Sequence, residues 1–98
     1  MRTLLKFQLD VEAANNAIKS GAFQGIMEKL MKITQPEAAY FGTENGCRTG
    51  YIVFDLKDPS GIPQIGELLF MGANAKVDMR PIMNMEDLQK GLAIAFGG

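Results

Sequence analysis

The sequence predicts an α+β domain in which strands alternate with helices and one sheet carries the helices on a single side. Three observations lead there. Leu4 to Leu9 alternates between strictly apolar and mixed positions, which is strand periodicity. From Ala14 to Ile33 apolar residues recur at near-helical spacing. Glu44-Asn45-Gly46 is a turn signal between two strand-like runs, so those runs read as a hairpin.

The first strand puts Leu5, Phe7 and Leu9 on one side and Leu4, Lys6 and Gln8 on the other. Asp10 then suits a helix N-cap, with Glu12 in the first turn. Ala14, Ile18, Ala22, Ile26, Leu30 and Ile33 form an apolar stripe that Phe23, Met27 and Met31 widen. This is one long helix, or two halves joined at Ser20-Gly21. Pro36 ends it. Glu37 to Gly42 is a short strand and Arg48 to Leu56 its partner. Asp58-Pro59-Ser60-Gly61 opens a helix from about Ile62 to Ala73. Lys76 to Met83 is a strand, and Asn84-Met85-Glu86-Asp87 resembles a capping box that starts a last helix to about Phe96.

The order β-α-β-β-α-β plus a terminal helix is the ferredoxin-like arrangement, with a four-stranded antiparallel sheet. Right-handed crossovers place strands one and three in the centre and strands two and four at the edges. Pro81 fits an edge strand, since proline cannot donate to a ladder. One face should hold Leu5, Phe7, Leu9, Ala39, Phe41, Ile52, Phe54 and Leu56 against the helices. The other carries Lys6, Gln8, Tyr40, Tyr51, Val53, Asp55 and Arg80, with the phase of the fourth strand open, because Val77 and Met79 could exchange faces with Asp78 and Arg80.

The chain has 98 residues, 47% of them hydrophobic, enough for one domain, residues 1–98. A chain this short buries only about 60–65% of its unfolded surface, so a partner that covers more would help. Net charge is −1 and the basic residues are scattered, which gives no polyanion-binding signature. The single cysteine, Cys47, excludes an internal disulfide and suggests a reducing compartment. No apolar run approaches the roughly 20 residues of a membrane span, and MRTLLKFQLDVEAA meets Lys6, Gln8 and Asp10 too soon for a signal peptide. The expected location is the cytoplasm, with no membrane partner.

The segment RTGYIVFDL, Arg48 to Leu56, begins as an RNA-reading strand often does. RNA recognition needs exposed aromatics on both central strands. Gly50-Tyr51 fits, but the next stacking position is Val53, and the first strand offers Lys6 and Gln8. The expectation is therefore no nucleic-acid partner.

The helix stretch Leu68-Leu69-Phe70-Met71-Gly72-Ala73 is apolar all round, more than one helix face can hide. With the element order, and with GELLFMGANAKVDMRPIMNMEDL running helix, turn, last strand and closing helix, the chain resembles the dimeric α/β barrel superfamily, closest to small uncharacterised bacterial members. The resemblance covers nearly the whole chain as an order of elements. It implies a homodimer of two sheets packed face to face, with a small pocket in each subunit. That superfamily includes cofactor-independent monooxygenases, isomerases, dehalogenating and haem-degrading enzymes, and proteins without known activity. The resemblance carries architecture and pocket location, not a reaction.

The chain has no histidine. That excludes serine–histidine and cysteine–histidine catalysis, ordinary zinc sites and a histidine haem ligand. No cofactor and no metal are expected. Gly42, Gly46 and Gly50 join strands and open no helix, so they are turn and strand glycines, not a phosphate cradle. Cys47 has Arg48 beside it but no base or second thiol, and reads as incidental. Methionines at 27, 31, 71, 79, 83 and 85 suit irregular core gaps or an adaptable apolar surface, and Phe70 and Met71 are the pair expected at a pocket or interface.

The candidate polar site is Lys6, Gln8, Tyr40, Tyr51, Asp55 and Arg80. Asp55 is the candidate general base, Tyr51 or Tyr40 a proton donor, and Arg80 or Lys6 the holder of an anionic substrate. The competing expectation pairs Asp55 with Lys6 across the central strands and packs the tyrosines at a dimer seam. Glu37, Glu44, Asp78 and Glu86 read as solvated charges or caps. Three functions compete: a small-molecule-binding protein or cofactor-independent enzyme, a structural or interaction module whose sheet face its partner fills, and an RNA-binding domain.

Overall fold

A computed structural model describes residues 1–97. The elements run β1 (Arg2–Gln8), α1 (Val11–Ser20), α2 (Ala22–Thr34), β2 (Ala38–Glu44), β3 (Cys47–Asp55), α3 (Gly61–Ala73), β4 (Lys76–Pro81) and α4 (Met85–Phe96). The four strands form one antiparallel sheet in the order β2-β3-β1-β4. Strands one and three are central, and Pro81 sits in an edge strand, where its missing N–H does least harm. The strand order and element order agree with a ferredoxin-like arrangement.

The long helical region is two helices. Gly21 separates them in the left-handed region (φ 85°), and its N–H closes the end of α1 on the Ile18 carbonyl. Asp10 caps α1 by accepting from the Ala13 N–H at 2.9 Å. The break rotates the stripe, so Ile18 and Ile33 are exposed while Ala14, Ala17 and Leu30 are buried. The hairpin turn is Asn45-Gly46, both at positive φ (53° and 73°), with Glu44 opposite Cys47. That is the backbone which a two-residue hairpin between right-twisted strands requires.

The core lies between α1, α2, α3 and one sheet face. Leu5, Phe7, Leu9, Ile52 and Phe54 meet Ala14, Leu30, Ile65, Leu69 and Ala73, all buried. The fourth-strand phase is settled: Val77 and Met79 pack toward this core, opposite Phe7 and Leu5. Three expectations need correction. Phe41, expected in the core, is 59% exposed: Ala39 of the same edge strand still packs against the core, but Phe41, two residues nearer the hairpin, lines an open cleft with Phe23 and Met27. The fourth strand ends at Pro81, not Met83. The closing helix α4 does not close anything within the chain: none of its residues is buried.

Gly50 stands opposite Phe7 on the core face. A Cβ on Gly50 would come within 2.2 Å of the Phe7 ring, so the ring lies flat on bare backbone. Gly50→Ala should cost about 1–3 kcal/mol, since the buried ring has little room to move. The expected observation is a lower denaturant midpoint at unchanged slope. An unchanged midpoint would show that the ring is not seated on the glycine.

Candidate functional site

The sheet face away from α1, α2 and α3 carries no packed layer; α4 meets it at Arg2, through Asp87. Pairing arranges its side chains in rows across all four strands. Asp78, Lys6, Tyr51 and Tyr40 form one row. Arg80, Leu4, Val53 and Ala38 form the next, and Lys76, Gln8, Thr49 and Gly42 the one on the other side. The face is therefore polar and charged along two rows, with an apolar strip at Leu4, Val53 and Ala38.

Two side chains on this face are joined through Glu44, a residue that reads from the sequence as a surface charge. The Tyr51 hydroxyl donates to Glu44 Oε1 at 2.6 Å, and Lys6 Nζ pairs with Glu44 Oε2. Beside them the Asn45 side-chain N–H donates to Gln8 Oε1 at 3.2 Å. The two-residue turn makes this possible. It ends β2 at Glu44 and holds the carboxylate over the central strands, where Tyr51 and Lys6 reach it. A carboxylate at the last strand position before an Asn-Gly turn, on the same face as two tyrosines, was the signal available in the sequence.

The electrostatics follow from these contacts. The Lys6 bond, then the Tyr51 hydroxyl, hold the Glu44 carboxyl below its ordinary range. The carboxylate in turn raises the Tyr51 phenol above its ordinary value, because deprotonation would lose the bond and set two negative charges side by side. At neutral pH the cluster is an ionised carboxylate between an ammonium and a neutral phenol. It can donate to an incoming oxygen from the remaining Lys6 protons, while the Tyr51 oxygen, its one proton on Glu44, can accept.

The other predicted residues are placed differently. Asp55 shares the face but lies four residues along β3 from Tyr51, about 13 Å at strand spacing. It pairs with the terminal ammonium of Met1 at 2.6 Å, so the expected Asp55–Lys6 pair is replaced by Met1–Asp55 and Lys6–Glu44. Held below its usual range by that ammonium, Asp55 is a weak base. Arg80 is one row from Lys6, beside Leu4, and Tyr40 is cross-strand from Tyr51 and largely exposed. Phe70 and Met71 lie on α3, in the layer on the opposite side of the sheet, and share no surface with Tyr51; Met71 is 84% exposed.

A separate apolar cleft of about 370 Å³ opens on the helical side, between α2 and the β2 edge. Phe23, Met27 and Phe41 form its walls, with Arg48 and Thr43 at the rim. Among the described residues no group of three or more acidic, cysteine or histidine side chains could hold a metal ion, and no helix is long and apolar enough to cross a membrane. No protein-family model matches the chain, and no curated protein matches it.

Removing the hub carboxylate should return Tyr51 toward ordinary behaviour. In a Tyr40→Phe background, ultraviolet titration should find Tyr51 ionising above 10.0, and Glu44→Gln should lower that value. Stability carries the same signature with a defined sign. A depressed Glu44 stabilises the fold above its ordinary 4.5, and that contribution is lost as pH falls through the folded value. Glu44→Gln should therefore flatten the acid limb of the stability profile, measured by denaturant unfolding at stepped pH. An acid limb identical to wild type would refute the pairing.

Proposed function

We propose that this protein binds a small, partly apolar anionic metabolite on its open sheet face, and that a second copy of the chain, packed face to face, closes the site. The observation that carries this reading is the Lys6–Glu44–Tyr51 cluster, a bonded polar group on an uncovered face beside the apolar strip Leu4, Val53 and Ala38. Such a mixture suits a ligand pocket, in which a few polar groups orient a molecule held by apolar walls. Lys6, with Arg80 and Lys76 on the same face, supplies positive charge for an anionic group. The Tyr51 oxygen, whose one proton is on Glu44, accepts from a donor group on the ligand. Gln8, held by Asn45, adds a second polar contact.

Covering this face would raise the Coulombic attraction within the cluster, against the cost of desolvating its charges.

A second reading has its own observation. Glu44 already engages both Lys6 and Tyr51, so the cluster is complete without a ligand and could serve as the polar centre of a filled dimer interface.

The test is a thermal-shift screen against small carboxylates and phosphates, with wild type beside Tyr51→Phe and Lys6→Met. A ligand at about 100 times its Kd adds about 2.7 kcal/mol to stability, several degrees in Tm for a domain of this size. The expected result is such a rise in wild type that shrinks in both variants. A hit whose shift is equal in all three proteins would place binding elsewhere, and no hit in a protein shown to be dimeric would favour the filled interface.

A further inference from the structure

We propose that α4 is an exchanged arm: it leaves its own domain and seats its apolar stripe in the cleft between α2 and β2 of a second copy. The proposal goes beyond the sheet-face reading and rests on different residues.

The helix is well started but unsupported. Asn84 accepts from the Asp87 N–H at 2.8 Å, and Asp87 accepts from the Asn84 N–H at 3.2 Å, a complete capping box. Yet none of its twelve residues is buried. A helix that short is marginal in water by itself, and helices of this length normally owe their stability to an apolar face packed on something. The face exists. Met85, Leu88, Leu92 and Phe96 fall at spacings of three and four, and all are exposed, Phe96 at 84%. The projecting helix contributes to dimensions of 57 × 27 × 18 Å and a radius of gyration of 15.7 Å, against about 13 Å for a compact chain of 100 residues.

The domain also has an unfilled apolar seat. Phe41 points to the core side of the sheet, opposite Gly50, yet stays 59% exposed. With Phe23 and Met27 it lines the apolar cleft.

The arm falls short of its own cleft. Asp87 lies beside Arg2, at the start of β1 (3.9 Å between charged atoms). The cleft gathers around Leu9 and Thr49, at the other end of β1. Seven residues of strand separate the two ends, about 23 Å. A helix of twelve residues spans about 18 Å. A two-fold axis that sets the strands of two copies antiparallel brings the start of β1 in one copy toward the cleft end of the other. Arg2 lies on the open face and the cleft opens on the helical side, so each arm rounds a sheet edge of its partner to reach the seat, and each seat receives an arm.

Area and charge fit a second copy. A stable specific interface buries roughly 1,200–2,000 Å² in total, shared here among two arms of twelve residues and the two surfaces that receive them. Arg48 at the cleft rim and Glu86 on the arm form no ion pair among the described residues, and their charges are complementary. A membrane surface suits the arm less well, since two acids and one lysine give it a net negative charge.

The test measures dimer affinity by light scattering and sedimentation across a dilution series. It compares wild type, Leu92→Glu in the arm and Val53→Arg on the open sheet face. Both side chains change where the single chain can tolerate it, and circular dichroism checks that the strands remain. The expected result is a wild-type dimer that Leu92→Glu weakens at least 100-fold. A monomeric wild type, or a Leu92→Glu dimer of unchanged affinity, would overturn the exchange. Loss of the dimer in Val53→Arg alone would leave the sheet-face dimer standing without arm exchange. Loss in Leu92→Glu alone would do the reverse. Seating is read by a short bismaleimide in a Cys47→Ser background, mixing a Thr43→Cys chain with a tagged Leu92→Cys chain. Cross-linked pairs carrying one of each are expected. Their absence, or a link inside one chain bearing both cysteines, would overturn the proposal.

Discussion

The seating of the Phe7 ring on the bare backbone of Gly50 fixes how the two central strands sit against each other. Side chains alternate along a strand with a period of two, so a slip of one residue would send Leu5, Phe7, Ile52 and Phe54 into water and bring Lys6 and Tyr51 into the core. A ring that fits only against a residue without a side chain tolerates no such slip. Every other placement depends on this register. It aligns Thr3 with Phe54 and Leu5 with Ile52 beneath the helices, and Lys6 with Tyr51 on the far side.

The same alternation explains why the molecule has two unlike faces. The helices cover one face, with a dry cluster of aliphatic and aromatic side chains. Buried threonines return their hydroxyls to nearby carbonyls, Thr34 to Leu30, Thr49 to Cys47 and Thr3 to Met1, and no buried side-chain polar atom lacks a partner among the described residues. The second face has no helical layer over it; α4 meets it at Arg2, through Asp87. Its charges are arranged, not scattered: Glu44 is placed by a tight turn, and its two oxygens take different partners. A carboxylate that holds an ammonium and a phenol together gains as water is excluded, which links a polar cluster on an open sheet to the idea of a cover.

The sheet face, the α2–β2 cleft and α4 share one physical circumstance. Each presents apolar surface that the chain does not hide from water. Small domains leave a large share of their surface uncovered, and association is the usual remedy. The arm and the cleft lie at opposite ends of the strands, a geometry that favours a symmetric pair over a chain folding back on itself.

The sequence by itself determined the order of the elements, the Asn-Gly hairpin, the caps at Asp10 and Asn84, and which residues of β1 and β3 share a face. Those are local properties: alternation, turn conformation and capping need only a few neighbouring residues. It also marked Lys6, Gln8, Tyr40, Tyr51, Asp55 and Arg80 as neighbours on one face. Tertiary structure decided which of them touch. Glu44 became the hub because a side chain at a turn can lean over a sheet, and no periodicity records that lean. Asp55 went to the terminal ammonium because the chain start lies alongside the end of β3. Phe41 stayed exposed and α4 unpacked because coverage depends on how far a helical layer extends in space, and an apolar pattern reports only that a residue seeks cover, not whether its own chain supplies it.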